Sequence, residues 1–411
     1  MKKVILALTA LLMLAFGSCI KDSMKQSYVY YRPVYKTKQE VRAAINSSTP
    51  KSIVNPGKLF YKDGYVFLND LEKGVHIIDV RNPASPQVVA FVAIPGSVDL
   101  AVRGNILYAD LTTDLVAIDI SNPLQVKLTK VLEGVFPHRY YNQFQADTTR
   151  IITEWVRVDT TVRNDEVVGW GMKAAEFSVM ATAQSDSRGV SNGTGGSMAR
   201  FALVNDRMYT VSYSDIKVFN TAVPENPGYV KTVDVGTWDI ETIFPFGKNL
   251  FIGSMTGMYI FDVDDKDNPV QKGRFAHARV CDPVVSDGRY AYVTLRNGTQ
   301  CGGFTNQLDV VNVENVSAPY LVKSYSMTNP HGLGVDGKWV LICDGADGLR
   351  ILDATKADDV KKVGHLQGIN TFDVIPLGGI ALVSATDGLY LVDYSNPAAP
   401  IVKGSVTFAK K

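Results

Sequence analysis

A strand-forming segment that ends in Asp or Asn recurs seven times along this 411-residue chain, and that period constrains the fold more than any other feature. The copies are His76-Ile77-Ile78-Asp79, Ala117-Ile118-Asp119, Val218-Phe219-Asn220, Ile260-Phe261-Asp262, Val311-Asn312, Leu352-Asp353 and Val392-Asp393. Their spacings are 40, 101, 42, 50, 41 and 40 residues. Seven residues after each Asp or Asn stands Pro86, Val126, Pro227, Pro269, Pro319, Val360 or Pro400. Five residues before it, four copies carry a glycine: Gly74, Gly257, Gly348 and Gly388.

Each copy fills out in the same way. Residues 99–109 read as a short strand, a tight turn and a second strand; Leu115 to Asp119 is a third, and Val126 to Val131 a fourth. Asn-Pro and Asp-Gly pairs punctuate the turns. Four short strands in about 40 residues, repeated seven times, predict an all-β, seven-bladed β-propeller over residues 53–411. A helical solenoid needs apolar spacing of about 3.6 residues, and that is absent. The 101-residue interval holds an insertion, 138–199, between blades two and three. Its first part, 150–162, alternates like an exposed hairpin or ribbon, and its Ser/Gly-rich second part, Ser185 to Ser197, reads as mobile. An eighth blade hidden there is the alternative, but the Asp-x₆-Pro mark is missing.

The N-terminus carries an address. Residues 1–18 read as a secretory signal, with Lys2 and Lys3 ahead of an apolar run from Val4 to Phe16. Phe16-Gly17-Ser18-Cys19 resembles a bacterial lipoprotein processing box, which makes Cys19 the lipidation site. Ile20-Lys21-Asp22-Ser23 looks like the polar tail that sends some Gram-negative lipoproteins to the cell surface, so an outer-membrane, surface location is expected. Residues 19–52 form a lipidated, Tyr-rich spacer with a short helix from Thr37, whose Glu40 completes a capping box. No other run is long enough to span a bilayer, so the membrane is reached by the lipid alone.

The blade ends, as in Leu391-Val392-Asp393-Tyr394-Ser395-Asn396-Pro397, resemble the LVIVD repeat of bacterial propeller lipoproteins. Tyr31-Arg32-Pro33-Val34-Tyr35, Asn55-Pro56-Gly57-Lys58 and residues Cys343 to Leu349 share that resemblance. It implies a seven-bladed propeller of secreted or surface type, and no particular chemistry.

Candidate chemistry is sparse. Lys plus Arg (42) balances Asp plus Glu (41), so no basic field points to nucleic acid. Hydrophobic residues at 46% exclude a disordered chain. Aligning the start of each innermost strand gives Gly57, Asp99, Arg200, Thr242, Asp282, His331 and Asp373 around the channel mouth. Asp99, Arg200, Asp282, His331 and Asp373 are therefore the ligand-binding candidates; no cofactor is called for beyond a cation those carboxylates could hold. Cys281 and Cys301 meet on one face by topology and predict a disulfide, leaving Cys343 as a buried or free thiol. Asp262 to Asp267 has the look of a calcium loop, but it lacks the glycine and the final Glu and reads as a solvated turn. His138, Tyr140, Tyr141, Trp155 and Trp170 give the insertion an aromatic character suited to sugar or protein contact. No nucleophile, phosphate-binding or dinucleotide motif is present. The expected function is a surface-anchored binding or scaffolding module for an envelope protein or glycan. A metal- or carboxylate-dependent hydrolase or lyase at the channel mouth is the alternative.

Overall fold

The computed structural model describes residues 25–141, 144–163, 194–198, 200–238, 240–277, 283–297 and 305–409. Seven antiparallel sheets, each with a four-stranded core at 56–93, 100–132, 201–234, 240–276, 284–326, 333–366 and 371–407, run in chain order, and the first is extended to six strands by two short flanking ones. The first strands of consecutive sheets are neighbours, and that of the seventh meets that of the first. The sheets thus close a seven-bladed propeller whose first strands line the centre.

The recurring Asp or Asn makes the same turn seven times. Its side-chain Oδ1 accepts the backbone N–H two residues on: Arg81 to Asp79 at 3.0 Å, Ser121 to Asp119 at 2.8 Å, Ala222 to Asn220 at 2.9 Å. Asp264 to Asp262, Glu314 to Asn312, Thr355 to Asp353 and Ser395 to Asp393 repeat it at 2.9, 3.2, 2.9 and 3.0 Å. These are Asx turns, which satisfy the backbone where the third strand ends. The following fourth strand carries a one-residue bulge in all seven blades, such as between Ile351 and Leu352 of the pairing register. The bulge twists this edge strand and breaks its regular ladder.

Blades pack through apolar layers between their faces. Ile375, Leu382, Leu389 and Leu391 of blade seven meet Leu59, Val66, Leu68 and Ile78 of blade one. The proline turns have a packing role as well. A Cβ at Gly364 or Gly404 would overlap the carbonyl of Pro397 or Pro83 in the next blade, so the outer strand needs glycine where it meets that turn. Buried tyrosines tie neighbours together: Tyr108 Oη donates to Pro224 O at 2.7 Å, and Tyr209 Oη to Lys266 O at 2.8 Å.

The residues before the propeller depart from the spacer expected of them. The helix Lys38–Ala43 has its capping box, with Thr37 and Glu40 bonded reciprocally. Six residues cannot hold a helix alone; Val41 and Ile45 are buried with blades one and two. Lys38 and Arg42 pair with the buried Asp114 at 2.7 and 2.9 Å. Ser47–Ser48 then adds a fifth strand to the outer edge of blade one. From Tyr35 onward the spacer is a docked part of the domain, not a free tether.

A second compact unit takes in the described residues 25–34 and 154–163. Among its described residues it is a two-stranded ribbon, in which Lys25–Thr37 pairs with Arg150–Arg163. The expected ribbon in the insertion exists, but its partner is the Tyr-rich N-terminal segment, which is a strand. No helix among the described residues is long and apolar enough to cross a membrane. Residues 1–18 and Cys19 lie outside the described residues.

Candidate functional site

One face of the propeller is assembled by buried carboxylates. Asp70 accepts the amides of Val54 and Asn55, both at 3.1 Å. Asp110 accepts those of Val98 and Asp99, both at 2.9 Å. Asp344 accepts those of Thr328 and Asn329 at 3.1 and 2.7 Å. In these three blades the end of strand two is thereby stapled to the connection leading into strand one. Burial works to raise the Asp70 pKa, but the hydrogen bonds from His76 and the Val54 amide and the charge of Lys73 outweigh it and hold it low. These three residues lie nine positions before Asp79, Asp119 and Asp353. That second fixed offset was legible in the sequence, and the reading of the repeat passed over it.

The insertion begins on this face, and its last described residues return to it through the propeller centre. At the start, Phe136 N–H donates to Thr113 O at 2.8 Å, and Arg139 pairs with Asp110. The Arg139 guanidinium lies 5.4 Å from the Phe136 ring centre, and Phe136 stacks on Phe201 of blade three at 5.8 Å and 15°. At the far end, Thr194–Gly195 pairs with Phe60 and Tyr61 on the innermost strand of blade one. Gly196, Ser197 and Met198 are buried. Residues 194–198 thus run along the propeller centre, and the expectation of mobility fails for Thr194 to Ser197. Small side chains let this backbone enter where larger ones would not fit.

The candidate ring is consequently not an open mouth. Asp99, His331 and Asp373 are only 0%, 3% and 4% exposed. Asp99 accepts Lys58 Nζ at 2.8 Å and the Arg200 amide at 3.2 Å, and Lys58 also donates to Met198 O at 3.1 Å. Burial, and then the neighbouring Arg139 guanidinium, push Arg200 below its ordinary pKa, against the pull of Asp99 and Glu241. His331 Nε2 faces Asn329 Nδ2 at 3.3 Å and Arg296 Nη1 at 3.4 Å, and its ring meets Phe372 edge-on at 5.0 Å. Asp373 accepts the Val374 amide at 3.0 Å and is walled by the backbones of Gly196 and Gly332. Thr242 is buried too. Asp282 lies outside the described residues, as do Cys281, Cys301 and Trp170. Among the described residues no group of three His, Cys, Asp or Glu is placed to hold a metal ion.

Cys343 is a buried free thiol. Burial, followed by the charge of Asp373, pushes its pKa well up, which disfavours the reactive thiolate. The acidic stretch at Asp262 is a pair of Asx turns, with Asp264 and Asp267 donating to Asp262 and Asp265 at 2.9 and 3.2 Å. Its carboxylates pair with Lys248 and Arg207, as a solvated turn does.

What the face does expose is aromatic. Tyr213, in the loop between strands two and three of blade three, is 54% exposed, and Trp238, in the connection to blade four, is 71% exposed. Their rings meet edge-to-face at 5.9 Å and 73°, and the Ile240 amide donates to Tyr213 O at 3.2 Å. Sequence inspection passed over this pair because neither residue sits at a repeat position.

The LVIVD repeat matches residues 59–93, 96–130, 279–327 and 370–407, corresponding to blades one, two, five and seven. No curated protein matches the chain. Among solved structures, the computationally designed Ika8 protein is similar at 8% identity and a TM-score of 0.54, over 89% of this chain and 90% of that one. BamB from Moraxella catarrhalis is similar at 8% identity and a TM-score of 0.49, over 81% and 82%. At such identity the likeness to the designed protein concerns the fold alone.

Proposed function

We propose that this LVIVD-repeat propeller is a binding or scaffolding module, anchored through lipidated Cys19 at the cell surface, that holds another envelope protein on its decorated face. The exposed Tyr213–Trp238 pair, on the face where the insertion begins, carries the reading. Exposed Trp and Tyr supply large contact area at low entropic cost and dominate protein interfaces. The enzymatic alternative finds less support. Asp99, Asp373 and His331 are buried among protein partners, and residues 194–198 pack against Lys58 and Asp373.

The test is a photo-crosslinking residue at position 238, activated in intact cells. A single protein adduct, lost when Tyr213 is replaced by Ser, is expected. Adducts to polysaccharide alone, or none, would defeat the protein reading. Cys19→Ser should move the protein from the membrane to the soluble fraction; unchanged membrane retention would defeat the anchor.

A further inference from the structure

We infer that residues 194–198 act as a clasp that closes the propeller ring, in place of a strand shared between its first and last blades. The four core strands of every blade are consecutive in the chain, and among the described residues none is borrowed from the opposite terminus. The seam between blades seven and one is therefore held by side-chain packing and by the Ala409 amide donating to Ile53 O at 2.8 Å. A ring built only of such contacts carries the loop-closure entropy of the whole domain at one junction.

The clasp reaches three blades from a point between blades two and three. Thr194–Gly195 pairs with Tyr61 and Phe60 of blade one, on the channel side of its innermost strand. Met198 O accepts Lys58 Nζ of the same blade at 3.1 Å, in a setting where Lys58 and Asp99 are both buried. Ser197 Oγ accepts the Leu333 amide of blade six at 2.8 Å. Gly196 lies against the Asp373 carboxylate of blade seven, where any Cβ would overlap an oxygen. Blades one, six and seven are the two sides of the seam, and these contacts span it. A simple tether between blades two and three would not require them.

The position of each residue type follows. Glycine is demanded at 196 by the carboxylate, and serine at 197 supplies an acceptor to an amide at the head of a strand. The buried hydrogen bonds are strong because water does not compete for them. This clasp is independent of the partner-binding reading and could stand if that reading failed.

Hydrogen exchange followed by mass spectrometry tests it, using Gly196→Val and the milder Ser197→Ala in the full chain. Gly196→Val should expel the segment, and exchange across blades seven and one should rise by about tenfold or more, while blades three and four keep their protection. Ser197→Ala should show the same pattern more weakly, including at Ala409, whose hydrogen bond does not involve the segment. If Gly196→Val does not fold, Ser197→Ala decides alone. Exchange that rises equally in all blades, or only at Leu333, would overturn the clasp.

Discussion

At the scale of single residues, the buried Lys58–Asp99 pair shows how the centre is built. Its two side chains are 1% and 0% exposed, which in isolation is an expensive arrangement. It persists because the remaining valences are used: Lys58 donates to Met198 O, and Asp99 accepts two backbone amides, from Arg200 at 3.2 Å and Leu100 at 2.9 Å. Lys58→Met would keep the volume and leave a buried carboxylate without its cation. The expected loss is about 3–5 kcal/mol, read from the shift in denaturant midpoint at constant slope. A loss below about 1 kcal/mol would mean that solvent reaches Asp99. Asp373, a residue type suited to chemistry, is likewise occupied in holding the backbone, through the Val374 amide, while the His331 ring is engaged by the side chains of Asn329 and Arg296.

At the scale of elements, the docked helix Lys38–Ala43 depends on Asp114. Burial raises the Asp114 pKa, but hydrogen bonds from Lys38, the Gly134 amide and Arg42 outweigh it, and the net shift is downward. A carboxyl held below its unfolded value of about 3.9 stabilises the fold above that pH, and the contribution is lost as pH falls through the lower folded value. Wild type should therefore exceed Asp114→Asn in stability at pH 6, and the two should converge below about pH 4 as Asp114 protonates. Thermal melts of both proteins from pH 6 to pH 2.5 would show it. A gap that stays constant with pH would assign the difference to packing instead. The Asx turns behave likewise: hydrogen bonds from Lys338 and Thr355 bring Asp353 down to about 2. That turn is exposed, so its share is small.

At the scale of the whole molecule, the seam is where the ring is most open to damage. Phe408, 5% exposed, packs with the blade-one and blade-seven residues of that junction. Phe408→Ala should cost about 3 kcal/mol, with the loss appearing as a lower melting temperature. The same truncation of Phe251, buried between blades four and five, provides the comparison. If the seam is the weak junction, Phe408→Ala should also broaden the transition, while the Phe251 variant keeps it sharp. Equal, sharp transitions for both would show that the ring unfolds as a unit from any blade.

The repeat, the blade number, the Asx turns and the capping box were legible because each is a local device. An Asp accepting an amide two residues away, or a Thr and a Glu three apart, needs nothing from the rest of the chain. The stapling carboxylates Asp70, Asp110 and Asp344 were equally local in their spacing and went unread. What the tertiary structure alone decided is the destination of segments without a period. The strand Lys25–Thr37 looked like a tether until it met Arg150–Arg163. Residues 194–198 looked like a flexible linker, since glycine and serine favour disorder when nothing surrounds them. Their partners lie far off in sequence: Ser197 bonds Leu333, 136 residues away, and Met198 bonds Lys58, 140 residues away. Small residues are permissive of both outcomes, and the channel that orders them exists only once the blades have closed around it.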